Sequence, residues 1–296
     1  MYTLQNKFLK IAVKQTGAEL CEISAVNNTN QFMWDANPGI WENFAPNLFP
    51  IIGALKDDTM TFEGESYNMT KHGIIRHNPD MILEEQTATK IAFSLLYSEA
   101  SLKKYPFKFK FTIVFELIEN TIKVTHIVEN LDNKTLYFSV GGHPAFKCPV
   151  YENEDYTDYY LEFEQKETSE SYALNMDLGL VSNKTFSVIT KESTIPLHYD
   201  LFNEDALIFK DLKSRKVALK SKTNGTILTV DYPDFPYLGI WAKPHANYVC
   251  IEPWLGIADN ESHNQDFKTK EGIQTLEAKQ TFKAAYTIEI DKKHLV

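Results

Sequence analysis

The sequence predicts an all-β chain, folded as one large antiparallel β-sandwich with few short helices, a single domain over residues 1–296. Three observations carry this reading. Apolar residues recur at every second position over long stretches, which marks strands with one buried face. Turn-forming residues separate those stretches. No apolar period of 3.6 lasts three turns and no strand–helix–strand alternation appears, so a doubly wound sheet and a TIM barrel are both excluded.

The elements follow in order. Residues 8–26 read as two strands around Thr16-Gly17, and residues 59–68 as a hairpin centred on Glu63-Gly64-Glu65. Residues 98–104 read as a short helix or turn stopped before Pro106, because proline cannot continue a helix. Phe107, Phe109, Phe111, Ile113, Phe115 and Leu117 then alternate with polar positions, and Ile122, Val124, His126 and Val128 form a return strand. The turn chemistry of residues 130–134 leads to Leu136, Phe138 and Val140, predicted as the third strand of an antiparallel meander. Residues 151–158 and 165–170 are polar and read as loops. Residues 203–209 read as one helical turn with Asn203 as its cap. Asn224-Gly225 is a strong hairpin signal inside residues 217–231, and Phe282, Ala284, Tyr286, Ile288 and Ile290 share one face of a closing strand.

Composition narrows the function. With 43% hydrophobic residues the chain can bury a real core, so wholesale disorder is excluded. A formal charge of −10 argues against nucleic acid as a partner and against electrostatic attachment to an anionic membrane. No apolar run is long enough for a membrane span, and residues 1–13 do not read as a secretion signal. Cys21, Cys148 and Cys250 are odd in number and far apart, which fits free thiols in a reducing compartment and suggests a cytoplasmic location. A monomer or weak homodimer is expected.

Three segments offer chemistry. Lys71-His72-Gly73-Ile74-Ile75-Arg76 sets an imidazole and a guanidinium four residues apart after a hairpin. Gly141-Gly142-His143-Pro144 projects a histidine from a strand end, the glycines letting the backbone kink. In Tyr248-Val249-Cys250-Ile251-Glu252-Pro253-Trp254, alternation places Tyr248, Cys250 and Glu252 on one face. A carboxylate on an apolar strand is costly to ionise, so Glu252 has the raised pKa that suits proton transfer. No G-x-S-x-G, Walker lysine loop or HExxH is present, so these groups read as proton-transfer groups. No pair of histidines has metal-ligand spacing, and a metal is the minor reading.

These segments resemble the aldose 1-epimerase (galactose mutarotase) superfamily, and within it the galactose mutarotase-related branch that includes the LacX-like proteins. The matching stretches run in family order: Trp34-Asp35 with Trp41, residues 46–53 (Pro-Asn-Leu-Phe-Pro-Ile-Ile-Gly), His72-Gly73 with Arg76, residues 142–146, residues 205–209, residues 235–241, and residues 250–254 with Gly256. The resemblance implies a β-supersandwich that binds a monosaccharide on its concave face and interconverts its anomers without a cofactor. It implies His143 as general acid and Glu252 as general base, with His72, Arg76 and Asp205 on the sugar. Trp241, Trp254 and Phe146 are available as apolar platforms.

One departure stands out. The family usually has an arginine after the Gly53 position, and here Ala54 occupies it. Lys56, two residues on, would point the same way along a strand and take over part of that role, though an ammonium is not a bidentate fork. Two other readings remain. A mutarotase or epimerase of hexose phosphates needs a basic cluster; arginine is rare, and Lys56, Lys71, Arg76 and Lys243 are scattered in sequence. A non-catalytic carbohydrate-binding protein on the same fold is favoured by Ala54 and opposed by the His143–Glu252 pair. A glycoside hydrolase is disfavoured because no second carboxylate is placed with Glu252.

Overall fold

The computed structural model describes residues 1–296. Antiparallel pairing dominates it. A nine-stranded sheet runs in the spatial order Leu180–Pro196, Tyr159–Asn175, Lys216–Ser221, Gly225–Asp231, Thr281–Ile290, Thr121–Asn130, Phe109–Ile118, Lys90–Leu96, Ile82–Gln86. A six-stranded sheet is built from Leu207–Phe209, Tyr237–Trp241, Tyr248–Leu255, Val140–Gly142 and Asn47–Leu48, with Ala145–Lys147 also paired to Tyr248–Leu255. A three-stranded sheet from residues 2–25 and two hairpin-sized ladders complete the set. The longest helix, Glu99–Leu102, is four residues long and carries a Ser98 capping box. No helix is long and apolar enough to cross a membrane.

The alternation read from the sequence is the alternation that packs. Phe109, Phe111, Ile113, Phe115 and Leu117 are all buried, while Lys110, Thr112 and Glu116 between them are partly exposed. Phe49, from beside the six-stranded sheet, stacks on Phe111 of the nine-stranded sheet at a centroid distance of 4.5 Å. Tyr286 of the larger sheet lies under Gly142 of the smaller one. The principal core of 74 residues therefore sits between these sheets, and Val249 and Ile251 belong to it. The strand Tyr248–Leu255 is buried along its whole length because it is central in its sheet and covered on both faces.

Several expected elements form as read. Glu63 (φ +54°) and Gly64 (φ +85°) both take the left-handed conformation that a tight two-residue hairpin turn requires. Gly17 (φ +66°) does the same between Leu9–Val13 and Leu20–Ala25, where a Cβ would lie 2.4 Å from the Arg76 carbonyl oxygen.

Three expectations are corrected. The meander stops at two strands. Leu136–Phe138 pairs with Gln274–Leu276, Val140–Gly142 joins the other sheet, and the second neighbour of Thr121–Asn130 is the closing strand Thr281–Ile290. The Asn130 side-chain amide donates to the carbonyls of Lys134 and Leu276, which fixes the turn that redirects the chain. Residues 165–170 are not a loop but part of the 17-residue strand Tyr159–Asn175. Their polar side chains are used in place: Glu167 accepts from the Lys213 and Ser214 backbone N–H groups, and register shifts interrupt the alternation. Residues 203–204 end a turn that begins at Leu201, but Leu207–Phe209 is an edge strand of the six-stranded sheet and not a helical turn.

Beneath the smaller sheet the loop after Leu255 is held by charge. Lys270 Nζ lies 2.6 Å from Asp259 Oδ1, both side chains being almost fully buried. Burial alone would raise the Asp259 carboxyl, but His263, Lys270 and the Lys56 backbone N–H all favour its charged form and bring it down to about 2. Breaking such a pair leaves one buried charge uncompensated. Asp259→Ala is expected to cost about 3–5 kcal/mol in urea unfolding, and the double variant Asp259→Leu/Lys270→Met much less.

Candidate active site

The site grows from the strand Tyr248–Leu255 and its neighbours. Glu252 lies opposite Gly239, and Trp254 opposite Gly141 and Tyr237. A Cβ at Gly239 would stand 2.4 Å from the Trp254 ring, and one at Gly141 2.9 Å from Trp254 Cδ1. The glycines therefore clear a flat slot for the indole. At Gly142 a Cβ would meet the Tyr286 ring. Close packing, and not a backbone kink, is what the Gly141-Gly142 pair supplies. His143 follows directly, with its backbone N–H donating to the Pro46 carbonyl at 3.0 Å.

This places His143 Nε2 3.2 Å from Glu252 Oε2, with the two side chains 10% and 2% exposed. Burial dominates their protonation. It pushes the Glu252 carboxyl well above its ordinary range, with Asp205 adding to the rise and Lys71 and Trp254 opposing it. It pulls the His143 imidazole down to about 3, with Lys71 and Arg76 lowering it further against a backbone hydrogen bond. The two groups together hold one proton, and burial favours the uncharged arrangement. His143 Nδ1 and Trp254 Nε1 are buried with no hydrogen-bond partner. Glu252 Oε2 faces His143 Nε2, and no protein group outside this cluster bonds to it.

Aromatic rings fix the imidazole. Trp41 stacks on His143 at a centroid distance of 5.1 Å, and Trp241 meets it edge-on at 5.9 Å. His72 stands edge-on to His143 at 5.7 Å. The Gly53 N–H donates to His72 Nδ1 at 3.1 Å, while the His72 N–H donates to the Gly53 carbonyl at 2.9 Å. With Nδ1 accepting, the ring proton sits on Nε2, so His72 is a neutral donor; burial, followed by the charges of His143 and Lys71, holds its pKa well below the usual value. His72 (φ +70°) and Gly73 (φ +82°) are both left-handed, and a Cβ at Gly73 would collide with the Phe49 carbonyl. The close approach of residues 49–53 and 70–76 thus aims the His72 ring.

All of these groups line one cleft of about 770 Å³, counted with its open mouth. His72, Arg76, His143, Asp205, Trp241 and Trp254 line it together with Glu252. Segments from seven parts of the chain converge there. Lys56 does not belong to it. Gly53 (φ +66°) and the turn Lys56–Asp58 break the extended run that the two-residue spacing assumed, and Lys56 Nζ donates to the His263 carbonyl instead. Phe146 is fully buried in the principal core. Burial, then Glu252, pushes the Cys250 thiol well above its ordinary range, so it stays protonated.

Sequence reasoning passed over Trp41 as a site residue, although it lay within a matched stretch; nothing in its local pattern says that it stacks on an imidazole 102 positions away. Lys71 enters the sequence reading only as one of four scattered cations, yet it lines the cleft. Leu174 and Gly179, from the hairpin of residues 159–196, carry no local signal at all.

The buried rings set an acid sensitivity. His143 and His126 are both lowered to about 3 by burial. Between about pH 6.5 and 3 the unfolded chain binds protons that these rings refuse, so their stability contribution, complete above the ordinary histidine value, is lost as pH falls. Glu252 acts in the opposite sense, because the folded carboxyl keeps a proton that the unfolded one releases as pH rises. In urea melts between pH 5 and 6, His126→Gln is expected to flatten the pH dependence and Glu252→Gln to steepen it, each by up to ~1.4 kcal/mol per pH unit.

Comparison with known proteins shows what the whole chain is similar to. The family model for aldose 1-epimerase matches residues 1–270. The LacX proteins of Lactococcus lactis subsp. lactis, plasmid and chromosomal, are 30% identical over 295 residues, covering 97% of this chain and 98% of theirs. Among solved structures, a galactose mutarotase related enzyme from Lactobacillus acidophilus is 35% identical and superposes with a TM-score of 0.92, covering 98% of this chain and 97% of that one. A galactose mutarotase-like protein from Lactobacillus casei is 26% identical with a TM-score of 0.91, covering 98% of this chain and all of the other. With a family match over residues 1–270 and relatives 30% identical along nearly the whole chain, this chain belongs to the aldose 1-epimerase family.

Proposed function

We propose that the protein is a mutarotase, interconverting the α and β anomers of a hexose through the open-chain aldehyde, with His143 and Glu252 as the proton-transfer pair. The observation that carries this is the 3.2 Å approach of His143 Nε2 to Glu252 Oε2 in the cleft. The resemblance assigns His143 and Glu252 as acid and base without placing them relative to the ring. A side-by-side pair suits the chemistry, because the anomeric hydroxyl oxygen and the ring oxygen are bonded to the same carbon.

In the reactive arrangement Glu252 is a carboxylate and His143 an imidazolium. Glu252 accepts the proton of the anomeric hydroxyl while His143 donates a proton to the ring oxygen. The C1–O5 bond breaks and the C1–O1 bond becomes a carbonyl. The pair is left as carboxylic acid and neutral imidazole, the uncharged arrangement that burial favours. Ring opening thus discharges a buried ion pair, and the dry site assists that direction. Rotation about C1–C2 and reversal of both transfers deliver the other anomer. Each positioned acid or base contributes typically ~10²–10⁴-fold.

The surrounding groups have supporting tasks. The His72 Nε2–H is a fixed neutral donor for a sugar oxygen. Trp241 and Trp254 offer apolar surface to the sugar ring, and Trp41 holds the imidazole plane. Asp205 lines the cleft with one oxygen accepting its own neighbour's N–H, from Ala206, which leaves the other for a sugar hydroxyl.

Glu252→Gln and His143→Asn are each expected to slow anomer interconversion at least ~100-fold, read by polarimetry or NMR exchange on freshly dissolved anomers. Near-normal rates in both variants would overturn the assignment. Gly239→Ala, whose Cβ would displace Trp254, is expected to cost about 1–3 kcal/mol in stability and to raise KM more than it lowers kcat.

A further inference from the structure

We infer that Trp41 and Trp254 are positioning residues for the proton-transfer pair: the Trp41 indole face stabilises His143 as an imidazolium, and the Trp254 indole N–H stabilises Glu252 as a carboxylate. The inference rests on the mutarotase reading and adds to it the groups that keep the reactive, ionised arrangement within reach inside a dry site.

Ring opening starts from a buried ion pair, yet burial favours the uncharged arrangement of the same proton. Unless a neighbour offsets that preference, the reactive form is rare. The charged neighbours do not act in one direction. Lys71 favours the carboxylate but disfavours the imidazolium, Arg76 also disfavours the imidazolium, and Asp205 disfavours the carboxylate. His72 and the Cys250 thiol, the other titratable groups beside the pair, are held uncharged by burial. The two indoles remain.

Trp41 stacks on the imidazole with centroids 5.1 Å apart and planes 28° apart. His143 therefore lies against a π face, whose negative quadrupole attracts a cation more than a neutral ring. Trp41 is itself held in place. Tyr248 stacks on it at 5.5 Å, Trp241 meets it edge-on at 5.5 Å, and its carbonyl accepts from Trp34 Nε1 at 2.8 Å. An aliphatic side chain in this position could restrict the imidazole plane, but it would carry no preference for the charged ring.

Trp254 acts through its edge. It stands two residues from Glu252 on the same face of the strand Tyr248–Leu255, and both side chains line the cleft. Gly141 and Gly239 clear the slot that receives the indole. Its Nε1–H is buried, finds no partner at full hydrogen-bonding geometry, and faces the Glu252 carboxyl, whose charged form it favours. An indole N–H donates and cannot accept, so it gains more from a carboxylate than from a protonated acid. One indole thus serves each charge of the pair.

The experiment compares Trp41→Leu, Trp41→Phe and Trp254→Phe with the unaltered protein. Anomer exchange is measured on glucose and galactose. In sugar-free protein labelled at histidine and glutamate, nitrogen and carbon NMR read how His143 and Glu252 divide their proton. Trp41→Leu and Trp254→Phe are each expected to lower kcat ~10-fold with KM changed less than ~3-fold, and to move the proton towards Glu252. Trp41→Phe restores a π face and should bring kcat back to within ~3-fold of the unaltered protein. A kcat within ~2-fold of the unaltered protein in Trp41→Leu and Trp254→Phe, or a fall in kcat with an unmoved proton, overturns the inference and leaves the mutarotase reading in place. If the unaltered protein exchanges no sugar above the blank, the mutarotase reading fails and the NMR decides alone. A proton moved towards Glu252 in both variants then sustains the stabilising roles of the two indoles, and an unmoved one overturns them.

Discussion

The molecule turns on the burial of an imidazole beside a carboxylate on one face of a strand whose other face is packed core. Val249 and Ile251 point into the principal core, so the strand Tyr248–Leu255 cannot move to ease the position of Glu252. Withdrawn from water, the two groups settle their protonation by sharing one proton. One shared proton is also what the proposed interconversion would use, its forward and backward steps exchanging donor and acceptor.

The rest of the site serves that pair. Gly141 and Gly239 clear the Trp254 slot. Trp41 and Trp241 leave the His143 ring one orientation, and the Gly53 N–H settles the tautomer of His72. These supports come from elements far apart in the chain, all resting on sheets that bury their other faces. A second small core, with Ile52, Val181, Ala206, Ile208 and Trp254 among its members, knits the hairpin of residues 159–196 to the cleft wall. The buried Asp259–Lys270 pair holds the loop that carries Ala258 into the lining. Such a pair contributes more to placement than to net stability.

The electrostatic division of the protein is equally physical. Acidic groups are spread over the surface and largely paired or solvated, whereas the cleft keeps two cations without partners. Leaving charge unsatisfied inside a finished fold is disfavoured. Ala54 belongs in the same picture. Where relatives are expected to extend an arginine, this chain has a methyl group packed near Gly179, and its free guanidinium comes from Arg76 on another segment.

What was legible in the sequence was whatever local chemistry dictates. Period-two burial marked the strands at 109–118, 121–130 and 281–290, and turn residues marked the hairpins at Glu63-Gly64 and Asn224-Gly225. The chemical types at His72, Arg76, His143, Asp205 and Glu252 were visible too, because imidazole, guanidinium and carboxylate in a run of apolar or glycine residues are rare and costly. Only the tertiary structure decided which strands pair: Leu136–Phe138 leaves the meander because its edge finds Gln274–Leu276, a partner that no local pattern announces. It alone took Lys56 out of the cleft lining, since Gly53 and the turn Lys56–Asp58 break the extended run and Lys56 Nζ donates to the His263 carbonyl. And it alone set the burial of His143 against Glu252, because desolvation belongs to the enclosing protein and not to any stretch of its sequence.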